Sequence, residues 1–301
     1  MMTARRFAFV WMDVFTSKPL EGNQLAVFTD ARGLSDTEMQ SLAKETNLSE
    51  TTFIFPRDPA AERERGIRVR IFTVDEELPF AGHPTLGTAT AIRRAQAGVQ
   101  GGEDEVVLDL NVGRIPVRFT TDAHSQLFGE MRQRDPEFGP RHNPEDVARA
   151  SGLALEEIAA DLPIQTVSTG LPFTIVPVKS LRALQNLKLN WSRAAEYLER
   201  SQGKFFYFLS RETVAPDAKV HARMIFYNGE DPATGSAAGC AASWMVQYGV
   251  TRDNESAIIE QGIECRRPSR LHVRAVRKDA GATDVRVGGN AVEVLRGEVT
   301  L

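Results

Sequence analysis

A chain of 301 residues exceeds what one hydrophobic core ordinarily fills and has room for two domains. Its 42% hydrophobic and 25% charged residues fit a soluble globular protein, and a net charge of −4 with scattered cations leaves no basic face for nucleic acid. The two cysteines, Cys240 and Cys265, make no CxxC pair, and the five histidines (His83, His124, His142, His221, His272) make no HxH or HExxH pattern. No metal site is therefore expected, and two lone thiols suit a reducing cytoplasm.

Arg5 and Arg6 precede an apolar run, Phe7 to Met12, that Asp13 stops. The run is too short for a membrane span and lacks a small-residue cleavage site, so it reads as a first strand, not an export signal. Val10 to Phe15 and Gln24 to Phe28 read as strands on either side of a Pro19–Gly22–Asn23 turn. Ser35 and Glu38 have capping-box spacing, and Met39, Leu42 and Ala43 share one helical face ending near Asn47. Thr51 to Phe55, Gly66 to Thr73, Glu105 to Leu110 and Arg114 to Phe119 are strand-like, whereas Pro56–Arg65 reads as a loop. Further on, Asn143-Pro144-Glu145 opens a short helix that Gly152 closes. Thr166 to Val178 reads as two strands broken at Gly170–Pro172, and helices follow over Leu181–Leu187 and Trp191–Arg200. The remainder alternates strands and turns, with a loop expected over Asp279–Asp284.

One pattern occurs twice. Arg70-Ile71-Phe72 leads through Glu76-Glu77-Leu78-Pro79 to Gly82 and the small-residue run Gly87-Thr88-Ala89-Thr90-Ala91. Arg223-Met224-Ile225-Phe226 leads through Glu230-Asp231-Pro232 to Gly235 and Gly239-Cys240-Ala241-Ala242. The separations are 154 residues between Phe72 and Phe226 and 152 between Gly87 and Gly239, which points to two copies of one unit. A helix with so little side-chain bulk can lie close against a curved sheet. Its first turn carries unpaired N–H groups that suit a carboxylate.

Several stretches resemble the motifs of the phenazine-biosynthesis (PhzF-like) isomerases. They are Asp13-Val14-Phe15 with Leu20-Glu21-Gly22-Asn23, Asn47-Leu48-Ser49-Glu50-Thr51-Thr52-Phe53, Leu78-Pro79-Phe80-Ala81-Gly82-His83-Pro84, Thr169-Gly170-Leu171-Pro172-Phe173, Asp231-Pro232-Ala233-Thr234-Gly235-Ser236-Ala237 and Arg296-Gly297-Glu298. The resemblance runs from near Asp13 to Leu301. It implies the diaminopimelate-epimerase fold, an α/β (α+β) chain of two pseudo-symmetric domains, each a curved β-sheet or barrel around a central helix, with the active site between them. The domains are placed at 1–118, completed by a terminal strand near 290–301, and at 119–289. Epimerases of that fold use two cysteines. Ala81 and Pro232 are read at those positions and Cys240 lies further inside its helix, so two-thiol racemisation is not expected.

By the same resemblance Glu50 is the acid/base, and His83 and Asp231 reach the substrate's polar groups. Ser49, Gly82, Gly235 and Ser236 bind and orient it. A carboxyl group enclosed by apolar neighbours can both take and return a proton near neutral pH, and Leu48, Thr51, Thr52 and Phe53 are expected to supply that enclosure. The implied reaction is cofactor-independent isomerisation of trans-2,3-dihydro-3-hydroxyanthranilate or a related small cyclic carboxylate, by a homodimer without nucleic-acid, membrane or metal partners. Two other enzyme classes fail. Ser236 has Thr234 and Ala238 where GxSxG requires glycines, and no Lys follows Thr234–Gly239 as a phosphate loop requires. A catalytically silent small-molecule-binding protein on the same fold is the alternative, and the intact Glu50, His83 and Asp231 set argues against it.

Overall fold

Apolar alternation and tight turns build the first half into strands around one buried helix. A computed structural model describes residues 4–96, 104–122, 124–227, 229–279 and 281–301. The chain divides into two units, Met1–Met131 with Gly288–Leu301 and Arg132–Val287. The first takes in more than the expected 1–118, because a strand ending at Arg132 still pairs with its neighbour there.

The first unit contains β1 (Arg6–Val14), β2 (Asn23–Phe28), α1 (Asp36–Thr46), β3 (Thr51–Phe55), α2 (Pro59–Arg65), β4 (Ile67–Phe72), β5 (Glu77–Leu78), α3 (Gly82–Ala95), β6 (Glu105–Leu110), β7 (Gly113–Thr121) and β8 (Leu127–Arg132). The long C-terminal strand Gly281–Thr300 completes it. The order β1-β2-β3-β4-β6-β7-β8-terminal strand closes on itself through antiparallel pairing of β1 with that strand, from Arg6↔Thr300 to Val14↔Ala291. A closed eight-stranded barrel has no unpaired edge.

α3 fills this barrel. Every residue from Gly82 to Thr90 is buried, as a helix of Gly, Thr, Ala and Leu permits. A Cβ at Gly87 would stand 2.6 Å from Leu25 Cδ2 and 2.7 Å from Val14 Cγ2, so glycine sets how closely helix and wall approach. The buried threonines are satisfied locally, Thr88 by Thr52 at 2.8 Å and Thr90 by the Leu86 carbonyl at 2.8 Å. α1 packs outside the barrel, where Met39, Leu42 and Ala43 meet Phe28, Phe53 and Phe72. Its capping box is formed as expected, with Ser35 and Glu38 bonding each other's backbone N–H.

Seven of the ten residues in the expected loop over 56–65 are instead helical. Asp58 caps α2 by accepting from Ala60 and Ala61 N–H, and Pro59 occupies the first turn. No residue of α2 is buried, so no apolar stripe announces it.

The second unit contains β9 (Glu137–Arg141), α4 (Pro144–Ser151), β10 (Gln165–Ser168), β11 (Pro172–Val178), α5 (Leu181–Asn186), α6 (Trp191–Arg200), β12 (Phe205–Ser210), β13 (Val220–Arg223), β14 (Ile225–Phe226), β15 (Gly229–Glu230), α7 (Gly235–Gln247), β16 (Ala257–Gln261), β17 (Ser269–Lys278) and the start of β18 (Gly281–Thr300). Its strands follow the order β18-β17-β16-β13-β12-β11-β10-β9. α7 is buried from Ala237 to Val246 and packs on β10, β11 and β17. An apolar core under α4, α5 and α6 includes Leu184, Leu198, Phe206 and Phe208. The expected Asp279–Asp284 loop shrinks to the turn between β17 and β18, and position 280 lies outside the described residues. Among the described residues no helix is long and apolar enough to cross a membrane.

The internal echo is exact at a common offset of 153 residues. Arg70 grips Glu77 through Nε at 2.8 Å, Arg223 grips Glu230 through Nε at 2.8 Å, and Gly82 and Gly235 begin the two buried helices.

Candidate active site

In the first unit, strand alternation aims Glu50. Thr52 faces α3 through its bond to Thr88, while Thr51 bonds Thr46 of α1 and Phe53 joins the outer aromatic cluster. Glu50, two residues before Thr52, therefore turns toward α3, where its Oε2 lies 3.5 Å from His83 Nδ1. Its side chain is 16% exposed. Thr51 and Phe53 face the other way and do not enclose it, contrary to the expectation from sequence. Ser49 immediately precedes Glu50 and is half-buried, and Gly82 is the buried first residue of α3.

His83, the second residue of α3, is 4% exposed. Burial pushes its pKa down to about 3, opposed only weakly by the Gln24 main chain, so the ring is neutral at neutral pH and its contact with Glu50 is not an ion pair. Nδ1 lies 3.3 Å from the Asn23 amide nitrogen. Nε2 is buried and has no hydrogen-bond partner among the described residues. Either tautomer leaves that nitrogen with an unmet donor or lone pair, which is costly unless a ligand meets it.

Asn23 is a site residue that the sequence offered only as part of a motif. The loop before it is strained. Phe15 and Leu20 have φ of 64° and 70°, each costing about 1–2 kcal/mol for a non-glycine residue. Gly22 has φ of 70°, and a Cβ there would stand 2.4 Å from the Val14 carbonyl. Buried Asp13 holds the loop by accepting from Leu20 N–H at 2.6 Å. The Asp13–Asn23 motif thus delivers Asn23 to the imidazole.

The helix starts differ in a consistent way. α1, α2, α4, α5 and α6 each begin with a side-chain cap, from Ser35, Asp58, Asn143, Ser180 and Asn190. α3 and α7 have none. Their first-turn N–H groups are left for another acceptor, and an anion suits them electrostatically.

In the second unit Asp231 is 7% exposed and follows the β14–β15 hairpin. Its Oδ2 accepts from Thr234 Oγ1 at 2.5 Å, and its carbonyl accepts from Gln261 Nε2 at 2.7 Å. Gln261 Oε1 accepts from Tyr207 OH at 2.9 Å and from Thr234 N–H at 3.2 Å. Gly235 and Ser236 are the first two residues of α7. The structure thus brings Glu50 to His83 in one unit and places Asp231 three residues before Thr234, with Gly235 and Ser236 next, in the other. Thr234, Gln261 and Tyr207 were not singled out from sequence; Gln261 is 30 residues from Asp231 and carries no local signal.

The residue preceding α7 is Thr234, as Ala81 precedes α3. Thr234, and not Pro232, is therefore the counterpart of Ala81, which corrects the position expected for the second thiol by two residues. Neither residue is a cysteine. Burial pushes the Cys240 and Cys265 thiols up to about 11, so both are protonated at neutral pH. Among the described residues no group of three or more His, Cys, Asp or Glu side chains could hold a metal ion.

The family model described as phenazine biosynthesis-like protein matches residues 12–297. An uncharacterized isomerase of Mesorhizobium japonicum is 36% identical over 97% of this chain and 98% of its own length. The trans-2,3-dihydro-3-hydroxyanthranilate isomerase of Pseudomonas aeruginosa is 31% identical over 97% of this chain and 99% of its own. A crystal structure of the Bacillus anthracis phenazine biosynthesis protein of the PhzF family superposes with a TM-score of 0.86 at 28% identity, covering 99% of this chain and 100% of that one.

Proposed function

We propose, for a chain that belongs to the family of phenazine biosynthesis-like proteins and is an isomerase of the PhzF type, that Glu50 moves a proton on a small cyclic amino acid bearing a carboxylate. The observation that carries this reading is the carboxyl of Glu50 beside a buried, neutral imidazole whose Nε2 has no hydrogen-bond partner among the described residues, at the start of a helix without a side-chain cap. The Glu50 carboxylate takes a proton from a ring carbon, the freed electron pair enters the substrate's conjugated system, and the resulting carboxylic acid returns the proton to another ring carbon. Bonds to hydrogen balance and nothing is oxidised or reduced.

His83, neutral across the working range, supplies Nε2 to a polar substituent of the substrate and does not compete with Glu50 for the proton. Ser49 and Gly82 flank these two groups. Asp231 takes the amino or hydroxyl substituent, and the α7 N–H groups at Gly235 and Ser236 take the carboxylate. No metal, flavin, nicotinamide or pyridoxal enters this scheme.

The relative named for trans-2,3-dihydro-3-hydroxyanthranilate supports that compound as the first to try. The experiment is incubation with it in deuterated water, followed by proton NMR. Incorporation of deuterium at a ring carbon together with product formation is the expected result. Saturable binding without exchange would make the compound a ligand and not a substrate, and absence of binding would remove it altogether.

A further inference from the structure

Threonine is among the residues that ordinarily cap a helix with the side-chain oxygen, and losing such a cap is destabilising. Thr234 sits at that position of α7 and does not cap it. Its hydroxyl is instead turned back to Asp231, three residues earlier, at 2.5 Å. A local rule is broken, and the structure beyond Thr234 shows what holds it that way.

The direction of each hydrogen bond in this cluster follows from the chemistry of the groups. Tyr207 is fully buried, and burial together with the neighbouring Asp231 pushes its pKa well above the ordinary phenol value, so it is a donor. It gives its proton to Gln261 Oε1, which also receives Thr234 N–H. With both donors on Oε1, the other end of the amide is its NH2 group. That group donates to the Asp231 carbonyl and, at 2.9 Å, to Thr234 Oγ1. Thr234 Oγ1 therefore already accepts, and its one proton is available for Asp231 Oδ2. All three side chains, Tyr207, Gln261 and Thr234, are buried, so no alternating solvent partner reorders the chain.

We infer that Thr234 is a positioning residue for Asp231: the Tyr207–Gln261–Thr234 chain orients a hydroxyl proton onto Oδ2 and holds the aspartate ionised, in one rotamer. The inference rests on the reading of Asp231 as a substrate-binding residue. It adds to that reading how the aspartate is held ready, and it explains a helix start left without a side-chain cap. The corresponding position in the first unit is Ala81, which has no hydroxyl to offer, so the device belongs to the Asp231 side alone. A hydroxyl donating into a carboxylate favours the charged form. Removing it makes the aspartate harder to ionise.

The test is a carbon-13 NMR titration of the full chain labelled at aspartate carboxyls, with the Asp231 signal identified by its loss in D231N. T234V keeps the shape and deletes the hydroxyl; T234A makes the same deletion with less bulk should T234V not fold; T234S restores the donor. The expected result is a titration midpoint for Asp231 about one pH unit higher in T234V than in the wild type, returning to the wild-type value in T234S. An unchanged midpoint in a folded T234V or T234A variant overturns the inference. Deuterium exchange into trans-2,3-dihydro-3-hydroxyanthranilate by D231N separates the two claims. Wild-type exchange by D231N would remove Asp231 from the reaction while the titration still decides what Thr234 does. Loss of exchange in D231N with an unmoved T234V midpoint would leave the reaction scheme standing and remove the positioning role.

Discussion

Acid should weaken the first unit through His83, and the amount follows from its burial. The imidazole pKa is about 3 in the folded chain against 6.5 for the ordinary group. The shift is downward. Below pH 6.5 the unfolded chain therefore binds a proton at this position that the folded chain refuses until about pH 3. The contribution to stability is complete above pH 6.5 and is lost as the pH falls from there toward 3. At pH 4.5, two units below the unfolded value, the loss attributable to this group is about 3 kcal/mol. Urea unfolding at pH 7.5 and pH 4.5, on the wild type and on His83→Gln, isolates it, because the titrating carboxylates are common to both proteins. The wild type should lose about 3 kcal/mol more than the variant over that interval. Equal losses, or an imidazole signal of His83 titrating near pH 6.5, would refute the claim that the ring is buried and neutral. With it would go the picture of Glu50 facing an uncharged partner.

Gly239→Ala should destabilise the second unit by about 2 kcal/mol, since a Cβ there would stand 1.9 Å from Gln133 Oε1 and displace a buried amide that accepts from Thr169 and donates to the Gly235 carbonyl. Denaturant midpoints measure it, and a change under about 0.5 kcal/mol would show that Gln133 moves aside freely. Iodoacetamide at pH 7.5 should alkylate Cys240 and Cys265 at least about a hundredfold more slowly than a small free thiol, because burial keeps both protonated. Mass spectrometry of the native protein reads the rates, and fast labelling of Cys240 would contradict its burial.

Elements with a local chemical cause were legible in the sequence. The α1 capping box, the α4 start at Asn143-Pro144 and the β10–β11 break all lie where residue type and spacing put them. The echo was legible too, but its offset was blurred. Matching Phe72 with Phe226 and Gly87 with Gly239 gives 154 and 152, whereas the paired arginine–glutamate grips and the helix starts agree on 153. Pro232, 151 residues after Ala81, fits none of these offsets, whereas Thr234 fits the 153 of the arginine–glutamate grips and helix starts. α2 escaped because all of its residues are at least partly exposed, leaving only Asp58-Pro59 to mark it.

The site was legible in part. Glu50 and His83 stand in recognisable motifs, and the structure brings them together. Which neighbours enclose Glu50 was not legible, because strand alternation sends Thr51 and Phe53 to the α1 side. Gln261 reaches Asp231 and Thr234, and Tyr207 reaches Gln261, from strands distant in sequence through side-chain hydrogen bonds that leave no periodic trace.

In the proposed reaction Glu50 carries the proton. Glu50→Gln keeps the length and much of the hydrogen bonding of the side chain but cannot accept and return a proton. Deuterium exchange into trans-2,3-dihydro-3-hydroxyanthranilate by this variant, with binding of the same compound measured by calorimetry, is the most direct measurement. Binding within a few-fold of the wild type and exchange slower by at least about a hundredfold are the expected results. Exchange at the wild-type rate in a folded Glu50→Gln protein would contradict that role.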